Sequence, residues 1–260
     1  MRFVEITFSP TGGTQKVADI LIEEIKAGKE KTEVDLCDNQ GSWKATVFEQ
    51  EDVAILAVPS YGGHVPFTAI ERIGQLQGNG ARAVLVCVYG NRHYDNTLAE
   101  LGDIAQKAGF QVIAAVAGIA EHSIKRSAAA GRPDTDDQRC LRNMAKQIVE
   151  KLAAGNTDMP KIPGKVVERK PSRGAMMCPV ITEACRKCGV CASACPVGAI
   201  DEETLESDSS KCISCMRCVS VCPEQKRTIK GAMVTVFGIL LPLLCKKRKE
   251  NELFLYWGDL

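Results

Sequence analysis

From Phe3 to Ala154 the chain alternates short apolar runs with stretches in which apolar residues recur every three or four positions. Five runs read as strands: Phe3 to Phe8, Thr32 to Leu36, Asp52 to Pro59, Ala83 to Tyr89 and Phe110 to Ile119. The third and fourth are almost continuously apolar, as strands buried on both faces of a parallel sheet are. Between the first two, Val17, Ile20, Leu21 and Ile25 mark one face of a helix. Further helices are predicted over about 67–76, after Asn96 to about Ala108, and from about Asp134, a normal capping residue, to Ala154. Five strands alternating with helices predict an α/β fold, an open, doubly wound five-stranded parallel sheet over residues 1–154. Ligands of such sheets bind outside the carboxyl ends of the strands.

The alternation stops at residue 155. Residues 155–174 are polar and basic with Pro160, Pro163 and Pro171, a linker composition whose job would be to hold a second domain near the first. Then come two copies of C-x2-C-x2-C-x3-C-P: Cys185, Cys188, Cys191, Cys195 before Pro196, and Cys212, Cys215, Cys218, Cys222 before Pro223. Two-residue gaps let one tight loop wrap three thiolates around a cubane cluster, and the fourth cysteine of each run crosses to the other cluster. The expected ligand sets are Cys185, Cys188, Cys191 and Cys222 for cluster 1, and Cys212, Cys215, Cys218 and Cys195 for cluster 2. Zinc sites and a disulfide framework compete for eight thiols. Zinc usually takes two separated C-x2-C pairs, whereas here three cysteines come in succession, so two [4Fe-4S] clusters are the reading adopted. Val190, Val197, Ile200, Ile213, Val219 and Val221 would form the apolar jacket that tunes them. Cys178, before Pro179, lacks upstream partners and reads as a structural thiol.

Three loops stand at the predicted carboxyl ends. Ser9-Pro10-Thr11-Gly12-Gly13-Thr14 lies between a strand and a helix, where hydroxyls, close-approaching backbone N–H groups and the helix dipole favour an anion. It has neither the lysine of a nucleoside-triphosphate loop nor the glycine spacing of a dinucleotide loop. A monophosphate remains, with a plain strand-to-helix turn as the competing reading. Pro59-Ser60-Tyr61-Gly62-Gly63 and Tyr89-Gly90-Asn91-Arg92-His93-Tyr94-Asp95-Asn96 place glycine beside an aromatic, suited to enclosing a flat ring system.

These three segments resemble the FMN loops of flavodoxins, and with the cysteine runs appended most of the chain is similar to the flavodoxin–ferredoxin fusion proteins of anaerobic bacteria and archaea. The resemblance implies a flavodoxin-like domain (1–154), a linker (155–174), a small ferredoxin-like 2[4Fe-4S] domain (175–230) and a tail (231–260). It also implies that Ser9, Thr11, Gly12, Gly13 and Thr14 hold the FMN phosphate. Pro59, Ser60, Tyr61, Gly62, Gly63, Gly90, Asn91, Tyr94 and Asp95 would flank the isoalloxazine. One departure stands out: Gly13 occupies a place where flavodoxins usually carry Asn. The segment Glu121-His122-Ser123 to Asp134 also looks like the fusion family. A place for His122 at the flavin edge or the domain interface competes there with an ordered loop before a capped helix, the reading adopted. His64 and His93 have no carboxylate partner evident in the sequence.

The bulk numbers refine this picture. A formal charge of +1 hides 17 Lys+Arg against 20 Asp+Glu in residues 1–154 and 16 against 12 in 155–260, so the halves carry −3 and +4. Opposite signs favour docking of the halves or of an acidic redox partner protein; no nucleic-acid partner is expected. Thirteen cysteines and no leader-like N-terminus point to a reducing cytoplasm. Ala232 to Cys245 is apolar but interrupted by Gly238 and Pro242, shorter than the ~20 residues of a bilayer span. The basic 246–249 comes next. The reading adopted is a helix packed on the first domain or on a homodimer partner, continued by Leu253 to Trp257; membrane-surface contact through 232–249 is the alternative. The expected function is electron transfer among FMN, two [4Fe-4S] clusters and a separate redox partner. The alternative is an FMN-dependent reductase of a small acceptor; no catalytic residues are expected.

Overall fold

The computed structural model describes residues 1–170, 175 and 177–256, except the side chains at 232, 233, 235, 237, 239 and 242. Linker residues 171–174 and Trp257 lie outside the described residues. The first domain runs β1 (Phe3–Thr7), α1 (Gly13–Ile25), β2 (Lys31–Asp35), a 3-10 turn (Ser42–Ala45), β3 (Val53–Pro59), α2 (Phe67–Ile73), β4 (Arg82–Tyr89), α3 (Thr97–Lys107), β5 (Gln111–Ile119) and α4 (Thr135–Ala153). β1 to β5 are parallel, in the order β2-β1-β3-β4-β5.

Side chains of one strand point alternately to the two faces, and the two cores follow that period. Ala54, Leu56 and Val58 of β3 join Leu98 and Leu101 of α3 on one face. Val53, Ile55 and Ala57 face Val17, Leu21 and Ile22 of α1 and Leu141 and Ile148 of α4 on the other. Asp134 caps α4 by accepting from the backbone N–H groups of Asp136 and Asp137, and Asp137 answers from the third position, a complete capping box.

The second domain holds β6 (Pro179–Ile181) and β7 (Arg227–Ile229), antiparallel to each other, around two single-turn helices, α5 (Val190–Ser193) and α6 (Arg217–Ser220). The chain then returns to the first domain through α7 (Ala232–Leu244) and β8 (Glu252–Phe254). The five predicted strands are present and parallel, and β8 adds a sixth, antiparallel to β5 with Val116 opposite Leu253. Asn251 holds it there: its Oδ1 accepts from Ile119 N at 3.0 Å and its Nδ2 donates to Asp137 Oδ1 at 3.0 Å. A strand on the open edge of β5 covers backbone groups that would otherwise invite another chain.

At the C-terminal end of α7, Leu241 and Cys245 pack on Ala128 of the first domain. Val236, Leu240, Leu243 and Leu244 of the same helix are exposed. No helix among the described residues is long and apolar enough to cross a membrane. The linker also lies on the first domain: Lys165 N donates to Asn96 Oδ1 at 3.1 Å, and the Arg169 guanidinium stacks 4.6 Å from the centre of the Phe67 ring.

Candidate functional site

The first loop joins β1 to α1 at the carboxyl end of the sheet. Ser9 Oγ accepts from Gln15 N at 2.9 Å, which ties the loop to the first turn of the helix. Gly12 is the N-cap, with φ at 84° and no side-chain cap, and no acid stands in that first turn. The helix start therefore offers backbone donors and a dipole to an anion. Gly13 has a local reason to lack the usual Asn: a Cβ there would stand 3.2 Å from Ala120 Cβ, so the segment after β5 closes onto the loop.

Thr11 and Gly13 line two adjoining clefts. The first, about 140 Å³, is bordered by Lys16, Arg126 and Arg132. The second, about 60 Å³, is walled by Thr14, Pro59, Ser60, Tyr61, Tyr89, Gly90 and His122, among others. Of the predicted ring-flanking residues, Pro59, Ser60, Tyr61 and Gly90 stand on this cleft. Hydroxyls, helix-end donors and the cations Lys16 and Arg126 beside the loop, with Tyr61 and Tyr89 on the adjoining cleft and the carboxylate of Glu121 at the border of both, are a donor and stacking set that fits a flavin mononucleotide.

The other predicted residues have different partners. Gly63 approaches Asp95 so closely that a Cβ would meet its carboxylate. Asp95 Oδ2 accepts from Arg92 Nη2. Tyr94 donates its hydroxyl to Glu252 Oε2 at 2.8 Å and lies edge-on to Tyr89. Asn91 is buried and turned toward the tail: its Nδ2 donates to Cys245 O at 2.7 Å and Lys247 O at 3.0 Å, while its Oδ1 accepts from Arg132 Nη1 and Lys249 N. The side chains of Asn91 and Tyr94 thus hold the returning C-terminal segment.

Long-range partners appear that the local pattern does not contain. His64 Nδ1 lies 2.6 Å from Glu100 Oε1, and the buried Glu100 carboxylate also accepts from Val65 N at 3.0 Å and Arg169 Nη2 at 3.0 Å. One α3 side chain thereby clamps the second loop and the linker together. His122 lines the cleft, and its Nδ1 accepts from Ile124 N at 3.1 Å and Lys125 N at 3.2 Å. Burial lowers its pKa, so the ring is neutral with its proton on Nε2.

A Cβ on Gly90 would stand 2.5 Å from His122 Cδ2. Gly90→Ala is expected to displace this ring and cost about 1–3 kcal/mol, as overpacking does. Urea unfolding measures the loss; stability equal to wild type would show that the ring moves freely.

In the second domain all eight thiols of the runs are free, as are the other five cysteines. A shift of 27 residues, from Cys185 to Cys212, superposes the two runs in sequence. The backbone repeats with them. Lys187 N donates to Cys185 Sγ and Ser214 N to Cys212 Sγ, each at 3.4 Å; Ala199 N donates to Cys195 Sγ at 3.3 Å and Lys226 N to Cys222 Sγ at 3.2 Å. Lys187 and Ser214, Gly189 and Met216, Gly198 and Gln225 share positive φ. Hydrogen bonds to ligand sulfur are a means of tuning a cluster.

Cys195, Cys212, Cys215 and Cys218 line one apolar cavity of about 20 Å³. Burial pushes the thiols of Cys212 and Cys215 up to about 12. Metal coordination would deprotonate them outright. Arg227 is buried beside the runs; its Nη1 donates to Cys191 Sγ at 3.2 Å, while its Nε has no partner among the described residues. An orphan buried donor next to ligand thiols fits the sulfur of a bound cluster.

The strand order β2-β1-β3-β4-β5 with ligand loops at the carboxyl ends is that of flavodoxin-like doubly wound sheets. Together with the cysteine domain it defines a redox protein of two unlike domains, one flavodoxin-like and one iron–sulfur. Residues 178–223 match the 4Fe-4S dicluster domain family, and the chain fits a flavodoxin–ferredoxin fusion. No curated protein matches it. Among solved structures it is similar to a flavodoxin from Streptococcus pneumoniae TIGR4, at 19% identity and a TM-score of 0.40, covering 59% of this chain and 97% of that one. The Megasphaera elsdenii flavodoxin in its two-electron reduced form is similar at 18% identity and 0.36, covering 55% and 98%. Flavodoxin 1 from Bacillus cereus is similar at 17% and 0.41, covering 58% and 98%. At such values the fold assignment rests on strand order and register.

Proposed function

We propose that the chain is an electron-transfer protein in which FMN, held in the cleft of the first domain, exchanges electrons with an external redox partner protein through two [4Fe-4S] clusters. The observation that carries this reading is the packing of the cysteine domain on the first domain: Ile213 packs on its core, Arg217 Nη2 reaches Asp35 Oδ2 at 3.7 Å, and Asn39 Nδ2 donates to Cys195 O at 3.2 Å. Bound FMN would supply two-electron storage, and clusters would carry one electron at a time.

The chain's own part is binding and placement. Thr11, Thr14 and the start of α1 would take the phosphate, Tyr61 and Tyr89 would flank the ring, and neutral His122 offers an Nε2 proton at the cleft wall. Anaerobic reconstitution with an iron count, a flavin count and a reductive titration tests the reading. One FMN and about eight irons per chain are expected; no FMN, or substantially fewer irons, overturns it. Rapid reoxidation by a small organic acceptor, with no partner protein present, would move the assignment to a reductase.

A further inference from the structure

We infer that the two cluster sites are not equivalent: the Cys212, Cys215, Cys218 and Cys195 site is the inner one, packed against the first domain, and the Cys185, Cys188, Cys191 and Cys222 site is the outer one. The inference deepens the proposed relay and rests on it.

The near-repeat of the two runs makes the comparison direct, because the ligand spacing, the N–H···Sγ bonds and the positive-φ positions recur 27 residues apart. Cys188 is exposed, whereas its counterpart Cys215 is buried. Arg186 and Lys187 are exposed, whereas Ile213 and Ser214 are partly buried. Ile213 packs on the core of the flavodoxin-like domain. Val190 keeps 39% of its surface, while at the matching position Arg217 reaches Asp35 Oδ2 of the first domain at 3.7 Å.

The crossing segment is bound as well. Asn39 Nδ2 donates to Cys195 O at 3.2 Å and Arg72 Nη2 to Pro196 O at 2.5 Å. Arg72 also donates to Leu36 O and Asp38 O, so the loop after β2 and helix α2 grip the ferredoxin-like domain together. The matching crossing cysteine, Cys222, has no hydrogen bond to the first domain among the described residues, and Pro223 after it is exposed.

The gripped loop and Tyr61 both come directly after strands, at the carboxyl ends on which the cleft opens. An electron lost by the outer centre would be gained by the inner one, on the side of the first domain; no bond forms or breaks. The outer centre is left facing solvent, where an external one-electron donor or acceptor protein would meet it.

The test uses the full chain labelled with 15N, reconstituted with iron and sulfide and reduced with dithionite. A reduced cluster broadens nearby amide signals, so the signals of Cys37, Asn39 and Tyr61 report the inner site without requiring flavin. Cys188→Ser is expected to leave them broadened, and Cys215→Ser to sharpen them. The reverse result overturns the inference. Should either variant fail to fold, stepwise oxidation of wild type with ferricyanide and EDTA decides. Loss of the first four or so of about eight irons should sharpen signals around Arg186 to Val190 while Cys37, Asn39 and Tyr61 stay broadened. Sharpening of Cys37, Asn39 and Tyr61 first overturns it. An iron count far below eight in wild type would instead defeat the relay reading.

Discussion

Asp137→Ala is expected to destabilise the protein by about 3–5 kcal/mol, the usual consequence of removing one partner of a buried, hydrogen-bonded ion pair. The Asp137 carboxylate is 1% exposed and accepts from Arg132 Nε at 2.7 Å, Asp134 N at 3.0 Å, Asn251 Nδ2 at 3.0 Å and Arg248 Nη2 at 3.3 Å. Removing it strands a buried guanidinium and cuts two of the ties that return the tail to the sheet. The loss should therefore appear twice: as a lower urea midpoint, and as faster proteolysis within the basic residues 246–249. Asp137→Asn, which keeps the shape and part of the hydrogen bonding, should lose less. A wild-type midpoint in Asp137→Ala would show that the cluster of charges is not what anchors β8.

Thr11→Ala combined with Thr14→Ala is expected to weaken FMN binding by on the order of a hundredfold or more. A hydrogen bond to a charged group is worth about 1.5–3 kcal/mol, and two lost at the lower figure correspond to roughly that factor. Iron content and cluster absorption should be unchanged, because neither threonine touches the second domain in any described contact. Fluorimetric titration of the flavin-free protein with FMN measures the effect. Undiminished affinity would remove the phosphate from this loop.

These two substitutions probe different levels of organisation. The threonines sit in a six-residue segment whose strand-turn-helix setting is local, which is why the loop was legible from residue order. Asp137 reads in the sequence only as a first-turn acid after the cap Asp134. Its bond to Asn251 joins residues 114 positions apart, and nothing in the spacing of either residue announces it. Asn91 makes the same point: its place in the third loop suggests a ligand residue, yet its amide is engaged by Cys245, Lys247 and Lys249. His64, without an evident acid nearby in the sequence, has one in Glu100, supplied by the neighbouring helix.

Residue order alone determined the five parallel strands, the three loops at their ends and the two cysteine runs. Each is encoded over a few consecutive residues, as a period of two, a period near 3.6 or a fixed gap between thiols. The tertiary structure decided the sixth strand, since the three residues Glu252–Phe254 are too few to carry a period and acquire their conformation from the open edge of β5. It also decided that a linker-like composition lies along α3 and the second loop. Most of all, it distinguished two cysteine runs of the same ligand spacing: Ile213 and Arg217 of the second meet the first domain, and Cys215 is buried while Cys188 is exposed, which makes one site inner and the other outer.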